Sequence, residues 1–231
     1  MQKIVLITGA RRGIGYEVAT ALAQKNHRVI AVARNKSNLQ KLKKEAPDHI
    51  DFYTADLTSH EQLDTLNTYL SKEYEGIDVL INNAGALVNK PFSKLEKNDW
   101  QNMLDVNLLS VIDLTKMMLP MLTENSHIIN ISSMGGLQGS SKFPGLTAYS
   151  VAKGAVAILS ECLAVELAES NIRVNALCLG SVQTEMFEDA FPGFEADVKP
   201  KKMGAYIADF ALNGSNFYNG KILPVALNDP S

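Results

Sequence analysis

The chain alternates short runs of apolar, β-branched residues with longer segments in which apolar residues recur every three or four positions. Runs of the first kind predict strands, and segments of the second kind predict amphipathic helices. The predicted strands are Lys3–Thr8, Arg28–Ala33, Asp51–Thr54, Val79–Asn82, His127–Ser132, Arg173–Leu179 and Lys221–Val225. The predicted helices are Gly13–Lys25, Lys36–Glu45, Ser59–Glu75, Gln101–Leu122, Ala148–Ser170 and Lys202–Asn213. Because helices separate successive strands, the pattern predicts an α/β fold with one doubly wound parallel sheet and helices on both faces.

Two of the predicted helices lack a clear polar face. The segments Met103–Leu119 and Ala148–Ala168 are apolar most of the way round. An outer helix of such a sheet normally keeps one face in solvent. Deep core helices would also show this pattern, but we expect a subunit interface.

Composition narrows the class of protein. The 231 residues are 46% hydrophobic and 20% charged, which is ordinary for one globular domain spanning residues 1–231. A net charge of −3 gives no reason to expect a nucleic-acid or membrane-surface partner. Cys162 and Cys178 lie far apart and the four histidines are scattered, so we expect reduced thiols and no metal site. No stretch suggests a signal peptide or membrane span, and a cytoplasmic location is expected.

A glycine-rich turn joins the first predicted strand to the first predicted helix. Its sequence is Thr8-Gly9-Ala10-Arg11-Arg12-Gly13-Ile14-Gly15. Glycines there permit a tight turn and let a pyrophosphate approach the free N–H groups of the helix N-terminus. A lone glycine loop is weak evidence for a binding site, but the strand–turn–helix context here is the one that a dinucleotide site requires.

The end of the second predicted strand bears on the choice of cofactor. A site selective for NAD carries an acidic residue there for the ribose 2′-hydroxyl, whereas this chain has Ala33 followed by Arg34. We expect Arg12 and Arg34 to converge on a 2′-phosphate, because a guanidinium suits that group. Two solvated loop arginines are the alternative. The sequence thus predicts NADP(H) in preference to NAD(H).

Tyr149 and Lys153 are one helical turn apart. A tyrosine has a pKa near 10, and an ammonium at ~4 Å with an effective dielectric of about 20 favours its phenolate by about 4 kcal/mol. We therefore expect Lys153 to lower the pKa of Tyr149 toward neutral pH, where it would serve as an acid–base catalyst. Such a pair also arises by chance, so it gains weight only from neighbouring motifs.

Together these motifs resemble the short-chain dehydrogenase/reductase family. The resemblance rests on the glycine turn, Asn82-Asn83-Ala84-Gly85, Asn107, Ser133, the Tyr149-x3-Lys153 pair and Gly180-Ser181-Val182-Gln183-Thr184, in that order. It implies a Rossmann-type sheet of about seven strands, an NAD(P) cofactor and a small carbonyl or alcohol substrate. It also implies a homodimer or homotetramer built through the two apolar helices.

The resemblance also implies roles for individual residues. Tyr149 would exchange a proton with the substrate oxygen, Ser133 would bond that oxygen, and Lys153 would bond the nicotinamide ribose. Asn107 would support a water-linked proton relay, Asp56 would meet the adenine edge, and Thr184 would bond near the carboxamide. The implied cofactor-binding residues are Gly9, Arg11, Arg12, Gly13, Ile14, Gly15, Arg34, Asp56, Leu57, Asn83, Ala84, Gly85, Tyr149, Lys153, Gly180, Val182 and Thr184.

Some of these assignments have alternatives. Ser132 adjoins Ser133 and could take its place, Asn107 could be an ordinary helix-interior amide, and Asp56 could merely cap a turn. The chain also departs from the family in having Leu179 where proline is usual before Gly180, and in the 16 positions between Ser133 and Tyr149. We expect the extra loop residues to border the substrate.

The segment Met186–Lys202 is the predicted substrate loop, at about residues 186–202. It carries Phe187, Phe191 and Phe194, which suit either a lid over an apolar substrate or local side-chain packing. The leading prediction is an NADP(H)-dependent carbonyl reductase or alcohol dehydrogenase. A 3-oxoacyl-acyl-carrier-protein reductase is the runner-up and would need a basic patch at the site, for which Lys199, Lys201 and Lys202 are candidates. A non-catalytic NADP-binding sensor is the third possibility.

Overall fold

A computed structural model describes residues 1–227 and contains one seven-stranded parallel sheet. The strands are β1 (Ile4–Thr8), β2 (Arg28–Ala33), β3 (Ile50–Thr54), β4 (Ile77–Asn82), β5 (Leu122–Ser133), β6 (Arg173–Leu179) and β7 (Lys221–Val225). Their order is β3-β2-β1-β4-β5-β6-β7, with every pair parallel. The prediction of a doubly wound α/β sheet of about seven strands is confirmed.

Helices cover both faces of the sheet. They are α1 (Gly13–Gln24), α2 (Lys36–Glu45), α3 (His60–Glu73), α4 (Lys97–Leu104), α5 (Ser110–Met118), α6 (Thr147–Glu166), α7 (Glu185–Ala190) and α8 (Pro200–Asn213). Alternate strand residues feed two separate cores. Val5 and Ile7 of β1 pack with α1, α2 and α8 on one face, whereas Leu6 faces α3, α5 and α6 on the other.

The fourth predicted helix, Gln101–Leu122, differs most from what the structure shows. It begins earlier, at Lys97, because Glu96 and Asp99 form a capping box there. A π-helical turn at Asp105–Leu109 then separates α4 from α5. The helix also ends earlier, since β5 already begins at Leu122. Polar residues in its first turn hid the true start, and no apolar pattern signals a π-turn.

The short helix α7 was not predicted. It lies within the segment expected to be a substrate loop, and the Thr184 hydroxyl caps it by accepting a hydrogen bond from Phe187 N–H at 3.2 Å. A helix of six residues is too short to show an apolar period, which explains why the sequence pattern missed it.

Helix α6 is long and apolar enough, with a mean hydropathy of 1.4, to pass a test for membrane spans by length and composition. The sequence reading missed this. In the structure α6 packs against β5 and β6 and carries Tyr149 and Lys153. Core helices commonly pass the same test.

Candidate active site

The carboxyl ends of the strands open into one large cavity of about 620 Å³. Ligand sites of open parallel sheets occur at this edge, where loops after successive strands meet. Every predicted cofactor residue lines the cavity, as does Ser133. Of the predicted site residues, Asn107 alone does not line it.

Gly9 and Gly15 line one end of the cavity and form what we call the glycine cradle, where there is no room for a side chain. Gly9 has a φ of +70°, and a Cβ added there would lie 2.8 Å from Ala84 Cα. A Cβ at Gly15 would lie 2.5 Å from Asn83 Nδ2. The Thr8 hydroxyl fixes this approach by accepting hydrogen bonds at 3.0 Å from the N–H groups of both Asn83 and Ala84. Thr8 was missed because a strand-end threonine has no motif of its own.

The N-terminus of α1 opens into this cradle without a side-chain cap. Arg12 occupies the N-cap position, and its side chain makes no capping hydrogen bond. The N–H groups of the first turn and the helix dipole therefore favour an anion at this point. Together with the glycine cradle, this uncapped turn fits the pyrophosphate of a dinucleotide.

Three arginines lie around the same end of the cavity. Arg12 forms an ion pair with Glu185 at the start of α7, and Arg34 lies 3.8 Å from Asp56. Burial, then the charges of Arg12 and Arg34, lower the pKa of Arg11 below its ordinary value. The expected convergence of Arg12 and Arg34 thus needs a correction, because Arg12 already has a carboxylate partner and Arg11 is also close.

Asp56 has the capping role that was weighed as an alternative. Its carboxylate accepts hydrogen bonds from the Thr58 backbone at 3.0 Å and the Thr58 hydroxyl at 2.8 Å. Burial acts to raise the pKa of Asp56, but the Thr58 hydrogen bonds and the Arg34 charge outweigh it and leave that pKa lowered. Asp56 nevertheless lines the cavity.

The catalytic candidates lie on α6 and at the end of β5. Ser133 is half-buried and lines the cavity, and its hydroxyl accepts a hydrogen bond from Gly135 N–H at 3.1 Å. Ser132 is buried, and its hydroxyl donates to the Lys153 carbonyl at 2.7 Å. The two serines therefore differ in function: Ser132 holds α6 against β5, and Ser133 faces the cavity.

Lys153 is buried and Tyr149 is half-buried, and the pKa values of both differ from the expectation. Burial raises the pKa of Tyr149 to about 12, against an opposing influence of Ser133. Burial lowers the pKa of Lys153 to about 8. The Lys153 ammonium donates to the Ile131 carbonyl at 2.8 Å and lies 5.9 Å from the Tyr149 ring centroid. The expected lowering of the tyrosine pKa is absent in this geometry, because desolvation outweighs a lysine at that distance.

Asn107 lies behind the cavity wall, within the π-helical turn, and is fully buried. Its side-chain amide donates to the Ala86 carbonyl at 2.9 Å and to the Met103 carbonyl at 3.0 Å, and its oxygen accepts from Ala86 N–H at 3.2 Å. Asn107 therefore holds the loop after β4 and does not line the cavity, and its support of a water-linked proton relay stays a prediction. Because its side chain bonds three backbone atoms, two of them in the loop after β4, Asn107 is more than an ordinary amide inside a helix.

A buried polar chain behind the site was missed by the sequence reading. Asn82 of β4 donates to Asn130 of β5 at 2.8 Å, and Asn130 donates to Ser160 of α6 at 2.8 Å. These hydrogen bonds fix α6, which carries Tyr149 and Lys153, relative to the two central strands. The only signal in the sequence was a polar residue inside each apolar run.

The far end of the cavity is lined by aromatic and aliphatic side chains. Phe187 of α7 and Phe191, the residue after α7, have ring centroids 5.2 Å apart, and Phe143 lies 6.2 Å from Phe191. All three rings and Phe194 line the cavity. The phenylalanines of the predicted substrate loop therefore pack on one another and also wall the cavity. Phe143 and Pro144 of the extra loop after β5 border it as well.

Comparison with known proteins agrees with this geometry. The family model described as short chain dehydrogenase matches residues 3–193. The chain is 33% identical to the 3-oxoacyl-acyl-carrier-protein reductase FabG of Thermotoga maritima over 96% of both chains. It is 31% identical to an uncharacterized oxidoreductase of Staphylococcus aureus over 86% of both.

Solved structures show the same fold. A short-chain dehydrogenase/reductase (glucose/ribitol dehydrogenase) of Brucella melitensis superposes with a TM-score of 0.88 at 24% identity, covering 98% of each chain. A 3-ketoacyl-acyl-carrier-protein reductase of the same organism, complexed with NADH, has a TM-score of 0.85 at 26% identity and covers 97% of this chain and 96% of its own.

Proposed function

This chain belongs to the short-chain dehydrogenase/reductase family and is an NAD(P)-dependent oxidoreductase, and from that premise we propose that it interconverts a carbonyl compound and its secondary alcohol with NADP(H). One observation carries the proposal. Ser133, Tyr149 and Lys153 share one cavity with an uncapped helix N-terminus and a glycine cradle. A phosphate-binding end and an acid–base end in one cavity suit hydride transfer to a substrate held between them.

The protein contributes binding, orientation and a proton. A bound nicotinamide supplies the hydride during reduction and accepts it during oxidation. The Ser133 hydroxyl donates a hydrogen bond to the substrate oxygen and stabilises the negative charge that develops on it. The Tyr149 hydroxyl gives its proton to that oxygen, so C=O becomes CH–OH.

The pKa values suit Tyr149 to the role of the proton donor in the reduction. With its pKa raised to about 12, Tyr149 is protonated across the neutral range and is ready to act as an acid. Lys153, with a pKa of about 8, is largely protonated at neutral pH. Its charge stabilises the phenolate that remains after the proton leaves. For oxidation, Tyr149 would first have to lose its hydroxyl proton, which its raised pKa disfavours at neutral pH.

We propose NADP(H) as the preferred cofactor. The support is the absence of an acidic side chain at Ala33, the end of β2, together with three arginines at that end of the cavity. A 2′-phosphate would gain charge-assisted hydrogen bonds from Arg11 and Arg34. Arg12 would have to exchange Glu185 for the phosphate, and Asp56 offsets part of the positive charge.

The carrier-protein reductase remains the second candidate because of the relative from Thermotoga maritima. The basic patch that it needs is not at the cavity. Lys199, Lys201 and Lys202 lie at the start of α8, which packs on α1, and none of the three lines the cavity. This placement favours a free small molecule as the substrate.

Self-association is proposed through α6. Val151, Ile158 and Val165 recur every seven residues along this helix and are 51%, 57% and 78% exposed. Three exposed aliphatic residues on one stripe of this helix favour burial against a second copy.

The proposal is tested by following loss of the reduced nicotinamide absorbance with a panel of aryl, alicyclic and aliphatic ketones and aldehydes, with NADPH and NADH in parallel. We expect turnover of at least one carbonyl class and a lower Kd for NADPH. Tight binding of NADPH without turnover of any carbonyl would contradict the reductase function. Equal Kd values for the two cofactors would contradict only the NADP preference.

A further inference from the structure

The substrate end of the cavity has few polar groups other than the reacting hydroxyls. Its wall is made of four phenylalanines and several aliphatic side chains from the three segments that follow β4, β5 and β6. These side chains are Phe143, Phe187, Phe191, Phe194, Leu87, Met134, Leu146 and Met186. Desolvating a charged or strongly polar substrate against such a wall is costly, whereas an apolar ring replaces water favourably.

This wall is held together by hydrogen bonds between its three loops. The Asn89 amide, after β4, donates to the Ala190 carbonyl of α7 at 2.8 Å. The neighbouring Lys90 N–H donates to the Gly145 carbonyl of the loop after β5 at 2.9 Å. The aromatic wall is thus already formed around the cavity, so a substrate that fits it pays little for ordering the loops.

The segment that closes the cavity is acidic. Between Ser181 and Val198 there are five carboxylates and no lysine or arginine. Glu185 is paired with Arg12, and Glu188 accepts a hydrogen bond from Gln183 at 2.8 Å. Asp189, Glu195 and Asp197 are exposed and form no ion pair within residues 1–227, and Glu195 lines the cavity. These carboxylates repel an approaching anion.

One basic side chain opposes this field at the same mouth. Lys142, beside Phe143, donates hydrogen bonds to the Leu137 carbonyl and to the Ser140 hydroxyl at 2.8 Å. Its ammonium is therefore directed toward its own loop. One partly neutralised cation does not offset three free carboxylates.

We infer that the substrate is an uncharged carbonyl compound with an aromatic or alicyclic body, and that anionic carbonyl compounds and thioesters on acidic carriers are excluded by the closing segment. This inference rests on the proposed reductase function and adds the substrate class. The apolar wall selects the ring, the carboxylates of the closing segment reject negative charge, and Ser133 with Tyr149 engages the carbonyl oxygen.

The experiment uses substrates of equal shape and different charge. Methyl 4-acetylbenzoate and 4-acetylbenzoate share an aryl ketone and differ in one negative charge. Likewise acetoacetyl-N-acetylcysteamine is a neutral thioester, and acetoacetyl acyl-carrier protein presents the same group on an acidic carrier. With NADPH at low ionic strength, we expect kcat/KM to be higher for the neutral member of each pair by about tenfold or more.

Three variants and one control variant test the closing segment and the apolar wall separately. Glu195→Gln should lower the ratio of kcat/KM for the neutral substrate to that for the anionic substrate about threefold, and this change should be lost at high salt. Glu73→Gln on the distant α3 is the matched control and should leave the ratio unchanged. Phe191→Ala should lower kcat/KM for the neutral ketone about tenfold or more. Phe191→Leu keeps an apolar side chain and should retain most of the activity.

The outcomes separate this inference from the proposed function. Equal or higher kcat/KM for the anionic ketone or the carrier-protein thioester would overturn the inference and leave the reductase function standing. An unchanged ratio in Glu195→Gln would overturn the assignment of selectivity to the closing segment. Absence of turnover for all four substrates and for the wider carbonyl panel would overturn the proposed function, and the inference with it.

Discussion

Replacing Lys153 with methionine should separate catalysis from stability. Methionine has nearly the length of lysine without its charge. Lys153 is 4% exposed, and burial holds its pKa at about 8, below the ordinary 10.5. Keeping the ammonium charged in the folded protein at neutral pH therefore costs about 3 kcal/mol. The lysine is retained at a cost to stability, as functional groups in active sites often are.

The net effect also includes a lost hydrogen bond. Lys153→Met leaves the Ile131 carbonyl, the acceptor at 2.8 Å, without its donor, which costs about 1–3 kcal/mol. At neutral pH we therefore expect the variant to be as stable as the native protein or up to about 2 kcal/mol more stable. Turnover should be largely abolished, since the positive charge that stabilises the Tyr149 phenolate is lost and the Ser133 hydrogen bond alone does not replace it.

The pH dependence gives the sharper test. Because the folded pKa is the lower one, the unfolded chain binds more protons between about pH 8 and 10.5. The stability of the native protein relative to Lys153→Met should therefore rise with pH across that window, by about 3 kcal/mol. Urea unfolding of both cofactor-free proteins at a series of pH values measures this difference, and Tyr149 contributes equally to both.

Two results would refute the reasoning. A stability difference that does not change with pH would mean that Lys153 has its ordinary pKa in the folded protein. A native protein that loses stability relative to the variant as the pH rises above 8 would mean that an unrecognised partner raises the lysine pKa.

Four further predictions concern catalysis, cofactor choice, stability and assembly. Tyr149→Phe should reduce kcat by about a hundredfold or more with the Kd for NADPH nearly unchanged; retention of full activity would exclude the proposed acid. Arg34→Asp should reverse the order of the NADPH and NADH Kd values, and an unchanged order would remove Arg34 from phosphate binding. Asp51→Asn weakens contacts with three donors, including Arg28 at 2.6 Å, and should lower the unfolding free energy by about 2 kcal/mol at neutral pH. Burial acts to raise the pKa of Asp51, but its hydrogen bonds outweigh burial and leave that pKa lowered, so the difference should persist down to about pH 4 and be lost progressively below it. Urea unfolding at neutral pH and at a series of pH values below about 4 checks it. Ile158→Glu should convert the protein to a monomer, as judged by its molar mass in light scattering. A molar mass equal to that of the native protein would exclude α6 as the interface.

The sequence alone determined the sheet and most of the cofactor end. Alternation of apolar strands and helices requires no knowledge of tertiary contacts, and it predicted the parallel sheet correctly. The glycine turn was equally readable, because its strand–turn–helix context is local in the chain, whereas the contacts that leave no room for a side chain at Gly9 and Gly15 come from Asn83 and Ala84 in the folded protein. The order of these motifs along the chain then identified the family.

Tertiary structure decided what depends on distance and dielectric. The sequence placed Tyr149 and Lys153 one turn apart, but only the fold revealed that burial outweighs their attraction and that Lys153 donates to Ile131. It moved Asn107 behind the cavity wall, and it distinguished Ser132 from Ser133 by giving one of them the Lys153 carbonyl. It also paired Arg12 with Glu185, 173 residues further along the chain. Periodicity and turn chemistry are local properties that a sequence states directly, whereas desolvation and partner choice arise between residues that the chain keeps far apart until it folds.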